Sequence, residues 1–296
     1  MHAKYDLLRD IRSLGLDPAG TLLIHSSCKA IGPVEGGAHT VLDAWSEFYR
    51  DGLLVFPTHT WDRVGKKHPV YDSRSDPSCV GILSELFRKR PGVVRSLHPT
   101  HSVAALGKDA ADYTAGEEHA TTPLPRSGCW GKLLDRDATI LFLGCSLRSN
   151  TFIHGVEEWA AIPDRISPWT EDLTILGPQG EEYRVAMHRH HCAAADRAGA
   201  TCPKITASWK PPSGGWTPSG TANSATPCAP TAKPVTWKGS PRRCWKRNLT
   251  FSSAGRRSPG TGIEFSALLQ PHRVPHRGHG VRAVKIPRRS GRRTPG

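Results

Sequence analysis

The stretch TLLIHSSCKAIGPVEGGAHTVLDAWSEFYRDGLLVFPTHT, residues 21–60, decides the fold class. TLLIHS (21–26) and GLLVFP (52–57) are short apolar runs ending in a small polar residue or a proline, the pattern of strands buried on both faces. Between them Val41, Ala44, Trp45 and Phe48 recur at i, i+3, i+4 and i+7, which lays one apolar stripe along a helix. The strand pattern returns in TILFLG (139–144). The helical spacing returns in Ile82, Leu83, Leu86 and Phe87, closed by the breaker Pro91-Gly92. This alternation predicts an α/β protein, a layered mixed sheet flanked by helices, with active groups at strand ends where loops converge.

The pattern stops near residue 192. PPSGGWTPSGTANSATPCAPTAKP (211–234) shows neither a helical nor a strand period, and PHRVPHRGHGVRAVKIPRRSGRRTPG (271–296) is rich in Arg, Pro and Gly. Only EFSALLQ (264–270) has the makings of two helical turns. The chain therefore divides into a folded unit, residues 1–195, and a basic Pro/Arg/Ser/Gly-rich segment, residues 196–296, too poor in apolar residues to offset its ordering entropy. Charge divides the same way. Residues 201–296 carry 18 Lys and Arg against the single acid Glu264, and the first 200 residues carry 22 against 25, so the net charge of +14 belongs to the C-terminal segment. That segment contains no recognisable nucleic-acid-binding module, so phosphate contact through it is expected to be non-specific. A shifted reading frame in GC-rich DNA produces such a composition; reading the DNA in its other two frames tests this.

Charges interrupt MHAKYDLLRD (1–10), and no apolar run reaches the roughly 18 residues of a membrane span, so a cytoplasmic protein without membrane contact is expected. Eight cysteines occur without a C-x-x-C pair and are expected as reduced thiols. MHRHHC (187–192) holds zinc-type ligands, but adjacent residues such as His190 and His191 point in different directions and no second pair stands at finger spacing. No metal is expected. Nothing in the sequence specifies an oligomeric state.

Two segments bear chemistry. Ser26 and Ser27 end the first strand, Lys29 follows, and Gly36-Gly37 lead into a helix; free helix N–H groups, close backbone approach and a lysine suit an anion. The same residues also make an ordinary strand-to-helix turn with local hydrogen bonds. Near residue 150, Asn150 or Thr151 suits a helix cap, and His154 has Glu157 at i+3 and Glu158 at i+4, so a carboxylate can sit beside the imidazole. His59 in FPTHT and His98 in SLHPTHS are open to either a polar role at a site or structural hydrogen bonding. Asp62, Asp72 and Asp76 stand in a polar loop that either lines an acidic pocket or is solvated.

HSSCKAIGPVEGG (25–37), FPTHT (56–60), VGILSELFRKRPGVVRSLHPTHSVAALG (80–107), WGKLL (130–134) and LFLGCSLRSNTFIHGVEE (141–158) occur in an order that resembles the aminoglycoside 3-N-acetyltransferase family over about residues 1–192. The resemblance implies an acyltransferase that moves acetyl from acetyl-CoA directly to the 3-amino group of a 2-deoxystreptamine antibiotic. It implies CoA along the loop His25, Ser26, Ser27, Lys29 and Gly37 and against Arg95, Ser96 and Ser102. Thr151, His154 and Glu157 fall on the family's T-x-x-H-x-x-E pattern, with His154 as general base, Glu157 as its partner and His98 as second choice for base. Asp62, Asp72 and Glu158 are the candidate contacts for the cationic antibiotic. Past the RHH region the family continues with strands and helices that help form the antibiotic side of the cleft, and there this chain departs.

Overall fold

The computed structural model describes residues 1–191 and the backbone of residues 282–286. In chain order the elements are α1 (Lys4–Arg12), β1 (Thr21–Ser26), α2 (Gly37–Phe48), β2 (Leu53–Pro57), β3 (Val70–Asp72), α3 (Ile82–Phe87), β4 (Val94–Arg95) and β5 (Val103–Gly107). They continue with α4 (Ala110–Thr114), α5 (Cys129–Asp135), β6 (Thr139–Leu143), α6 (Phe152–Trp159), β7 (Ile166–Leu176), β8 (Glu182–His190) and β9 (Arg282–Ile286). Six strands form one mixed sheet in the order β4-β5-β2-β1-β6-β9. β2 and β6 flank β1 and run parallel to it, and β4 and β5 add an antiparallel edge. A second sheet has the order β3-β7-β8, with a long β7–β8 hairpin at its centre.

The pleat explains why β1 reads as a continuous apolar run. Leu22 and Ile24 enter a core with α1, α2 and α3, while Leu23 points to the other face, where Trp130, Leu133 and Phe152 of α5 and α6 pack with Phe142. Helices thus cover both faces of the central strands. The expected helix stripe holds for Val41, Ala44 and Trp45, which are buried; in α3, Leu83 and Phe87 are buried but Ile82 faces solvent. Its position at the first residue of a short helix turns Ile82 away from the sheet. The basic segment lies outside the described residues except at Arg282–Ile286, where the backbone pairs with β6 in parallel register as an edge strand. Among the described residues no helix is long and apolar enough to cross a membrane.

The WGKLL motif has a packing reason. α5 presses so closely on the preceding turn that a Cβ on Gly131 would stand 1.8 Å from the Arg126 carbonyl oxygen. Arg126 in turn donates to the Gly131 carbonyl at 3.0 Å and bridges Asp135 at 2.6 Å. Gly131→Ala is expected to destabilise the fold by about 1–3 kcal/mol or more through overpacking. A guanidinium denaturation midpoint equal to that of the unsubstituted chain would show that α5 does not seat this closely.

Candidate active site

The three parallel strands deliver their C-terminal ends to one place. His25 and Ser26 end β1, Pro57 ends β2 with His59 just beyond, and the segment after β6 brings Arg148, Thr151 and His154; together they line a cleft of about 530 Å³. Ligand sites outside the carboxyl ends of parallel strands are the rule for open α/β sheets. His101 and His190 bring the imidazoles in the wall to five, beside Arg148 and Arg189.

Helix α6 starts where Asn150 Oδ1 accepts from the backbone N–H of Phe152 at 3.2 Å, so Asn150 rather than Thr151 provides the side-chain cap. One turn on, His154 Nδ1 lies 2.9 Å from Glu157 Oε2. His190 Nε2, from β8, approaches the same oxygen at 3.4 Å, and Arg165 Nε stands 3.3 Å from Oε1. Glu157 is 1% exposed. Burial alone would raise its carboxyl, but the hydrogen bonds from His154 and His190 and the charge of Arg165 outweigh it and hold it at about 2. The carboxylate is therefore ionised at any physiological pH, and it fixes the ring of His154 through Nδ1.

His59 lies beside this group. Its Nε2 is 3.2 Å from Thr151 Oγ1, and its ring is 5.0 Å from that of His101. Burial, then the neighbouring imidazoles, pushes both His59 and His101 well below the usual histidine range. His25 stacks on Phe142 at 5.3 Å and on Trp130 at 6.1 Å, so its ring is clamped against the core face of β6 and α5.

Several residues expected at the site have structural work instead. His98 is fully buried: its Nδ1 accepts from the backbone N–H groups of His101 at 2.9 Å and Thr100 at 3.2 Å. The ring proton then sits on Nε2, which donates to the Thr122 carbonyl at 3.0 Å. Both ring nitrogens of His98 are thus engaged within the fold, and the ring does not line the cleft. Arg95 donates to the carbonyls of Thr58, Ser73 and Asp76 and to Ser102 Oγ, which pins β4 to two loops and leaves its guanidinium for the chain rather than for CoA. Ser96 Oγ donates to the buried carboxylate of Glu117 at 2.8 Å, and Ser102 Oγ donates to the Thr58 carbonyl at 2.8 Å. Neither hydroxyl reaches the cleft.

The loop after β1 divides. Ser26 lines the cleft; Ser27, Lys29 and Gly37 lie beyond its wall, with Lys29 exposed and Gly36 and Gly37 at φ of 71° and 63°, a backbone that only glycine adopts without strain. The expected acids do not line the cleft. Asp72 accepts from Arg74, and Asp62 is exposed next to Trp61. Glu158, the next residue and so about 100° around α6 from Glu157, accepts from Thr122 Oγ1 and from Leu124 N at 2.9 Å, with burial raising its carboxyl. No carboxylate lines the cleft among the described residues. Conversely, sequence reading missed His190, Arg165 and His101. In MHRHHC His190 is weighed only as a metal ligand and set aside, and no periodicity connects it to a carboxylate 33 residues earlier on a helix.

Fold and cleft together are those of an α/β enzyme whose pocket is built around histidines. The family model for aminoglycoside 3-N-acetyltransferase matches residues 23–210, and the chain belongs to that family of acyltransferases. Aminoglycoside N(3)-acetyltransferase III of Acinetobacter baumannii is 31% identical over 201 residues, 61% of this chain and 68% of that protein. The crystal structure of aminoglycoside acetyltransferase AAC(3)-Xa superposes with a TM-score of 0.55 at 27% identity, covering 63% of this chain and 71% of the other. AAC-VIa bound to sisomicin superposes with a TM-score of 0.53 at 26% identity, covering 64% and 75%.

A histidine whose folded value is depressed refuses protons that the unfolded chain accepts. Its stabilising contribution is complete above the unfolded value, about 6.5, and is lost as pH falls below it. The denaturation midpoint is therefore expected to fall between pH 7.5 and pH 5, and His59→Gln, which keeps a group able to reach Thr151, is expected to shrink that fall. An equal pH response in both proteins would mean that His59 charges freely in the fold.

Proposed function

We propose that this chain transfers the acetyl group of acetyl-CoA to the 3-amino group of a 2-deoxystreptamine aminoglycoside and so confers resistance to it. Family membership supports the reaction class. The observation that carries the mechanism is the 2.9 Å contact between His154 Nδ1 and the buried, ionised Glu157, with the imidazole in the cleft wall. With Nδ1 held by the carboxylate, the ring exchanges protons with the cleft through Nε2.

An aminoglycoside amine is mostly protonated in water, and only its neutral form attacks a thioester. In the proposed reaction the amine nitrogen bonds to the thioester carbonyl carbon and gives up a proton to His154 Nε2. The tetrahedral intermediate collapses with cleavage of the carbon–sulfur bond, and the proton passes from the imidazolium to the departing thiolate. No acetyl-enzyme forms. Glu157 orients the ring and stabilises the imidazolium. Acetyl-CoA approaches along the β1–α2 loop, where Ser26 reaches the cleft and the N-terminus of α2 carries no side-chain cap. Of the three acids first considered for the antibiotic, Asp62 borders the cleft through its neighbour Trp61; Asp72 and Glu158 are committed elsewhere.

The acetyltransferase unit is taken to end near residue 195, and the basic segment is given no part in the reaction beyond non-specific phosphate contact. Because acetyl-CoA is held in the cytoplasm, that is the proposed compartment, and no metal is required by the chemistry. His154→Ala is expected to lower turnover by about 10²–10⁴-fold while calorimetry still detects acetyl-CoA binding, and Glu157→Gln is expected to cost less. Near-normal turnover in His154→Ala would remove His154 from the reaction.

A further inference from the structure

We propose that His154, Glu157 and His190 form a capture site for a borderline-soft divalent metal ion such as Zn²⁺ or Co²⁺, and that its occupation switches off His154. Each residue offers one ligand atom, and the three atoms lie within 4.8 Å of one another. Glu157 Oε2 is already 2.9 Å from His154 Nδ1 and 3.4 Å from His190 Nε2. A tetrahedral ion with bonds of about 2.0–2.1 Å separates its ligands by about 3.3 Å, so two edges of the triangle stand near metal-ready length. The two rings are 4.1 Å apart between centroids and tilted by 53°, so their ring planes do not stack flat and their nitrogens can turn to one point.

Ligand chemistry and surroundings agree with the geometry. Two imidazoles and a carboxylate are a donor set suited to zinc, cobalt and nickel and poorly suited to magnesium or calcium. Glu157 is ionised, as a ligand must be, and Arg165 on Oε1 leaves Oε2 as the single donor oxygen. His154 and His190 both line the cleft, which gives the ion an approach. The positive charge of Arg165 opposes the ion, which points to a reversible site weaker than a dedicated metalloenzyme centre.

The consequence follows from the tautomer. A metal on Nδ1 obliges the neutral ring of His154 to carry its proton on Nε2, so no lone pair remains there to take a proton from an amine. This part rests on the function proposed above; the binding site does not. Neighbouring histidines of MHRHHC cannot converge on one ion, and that run has no second Cys/His pair at finger spacing. The structure draws only His190 from that run and takes the other two ligands from α6.

The test uses the full chain, freed of metal with a chelator and titrated with Co²⁺, whose visible bands report nitrogen and oxygen ligands and whose near-ultraviolet charge-transfer band reports thiolates. A site without thiolate character is expected, weakened at least about tenfold in His190→Ala; His190→Gln serves if the alanine variant does not fold. In acetyl transfer, Zn²⁺ is expected to lower kcat without raising KM for acetyl-CoA, with recovery on chelation and with His190→Ala resistant to the same dose. Unchanged Co²⁺ affinity in the His190 variants, or a thiolate-dominated spectrum, would overturn the site. Binding without loss of kcat would overturn the switch. If the chain transfers no acetyl group at all, the reaction reading fails while the cobalt titration still decides the site.

Discussion

The buried carboxylate of Glu157 is the interaction around which the cleft is organised. It stands on α6, which packs on the central sheet, and its partners come from α6 itself, from β8 of the second sheet and from Arg165 just before β7. One ionised group therefore ties the two sheets together at the cleft. Removing one partner of a buried ion pair commonly costs about 3–5 kcal/mol, because the other charge is left without compensation. The same carboxylate sets the tautomer of His154, so the joint between sheets and the alignment of the candidate base are one arrangement.

Around it, the cleft wall is held by polar groups that satisfy each other. Arg95 gathers the carbonyls of Thr58, Ser73 and Asp76, and Thr58 and Ser102 share hydrogen bonds at 3.0 and 2.8 Å. Glu117, fully buried, accepts from Ser96 Oγ and from the first N–H of α5, Cys129, at 2.8 Å. These bonds lie behind the wall and fix the loops after β2 and between β4 and β5. Only with those loops fixed do His59 and His101 present neutral rings to the cleft instead of turning toward solvent. Chemistry in such a pocket takes place beside neutral imidazoles, with the guanidinium groups of Arg148 and Arg189 also in the wall and the ionised Glu157 behind it next to His154.

Much of the fold was legible along the chain, and for a plain reason. β1, β2 and β6 are covered on both faces, so their composition alone marks them, and α2 shows its stripe because one face meets the sheet. β5 escaped notice because VAALG (103–107) is short and made of small residues, and its burial comes from α4 and its neighbours rather than from its own hydrophobicity. The β7–β8 hairpin escaped because it is half-exposed and rich in charged residues, with Leu173, Ile175 and Met187 buried in a core beneath it and Tyr183 and Val185 packed against that core.

For the site, local spacing was informative only where both partners share one element. His154 and Glu157 lie three residues apart on a helix, so 3.6 residues per turn brings them together without reference to the rest of the chain. By itself the sequence determined the α/β class, the central strands, the α6 pair and the break in composition near residue 192. The tertiary structure alone decided that His98, Arg95, Ser96 and Ser102 turn inward, that Asp72 and Glu158 stay away from the cleft, that His190 and His101 join it, and that Arg165 meets Glu157. These outcomes depend on which carbonyls, N–H groups and carboxylates meet across distant segments. A buried polar side chain goes to whichever partner satisfies it, and only the packed chain determines where that partner stands.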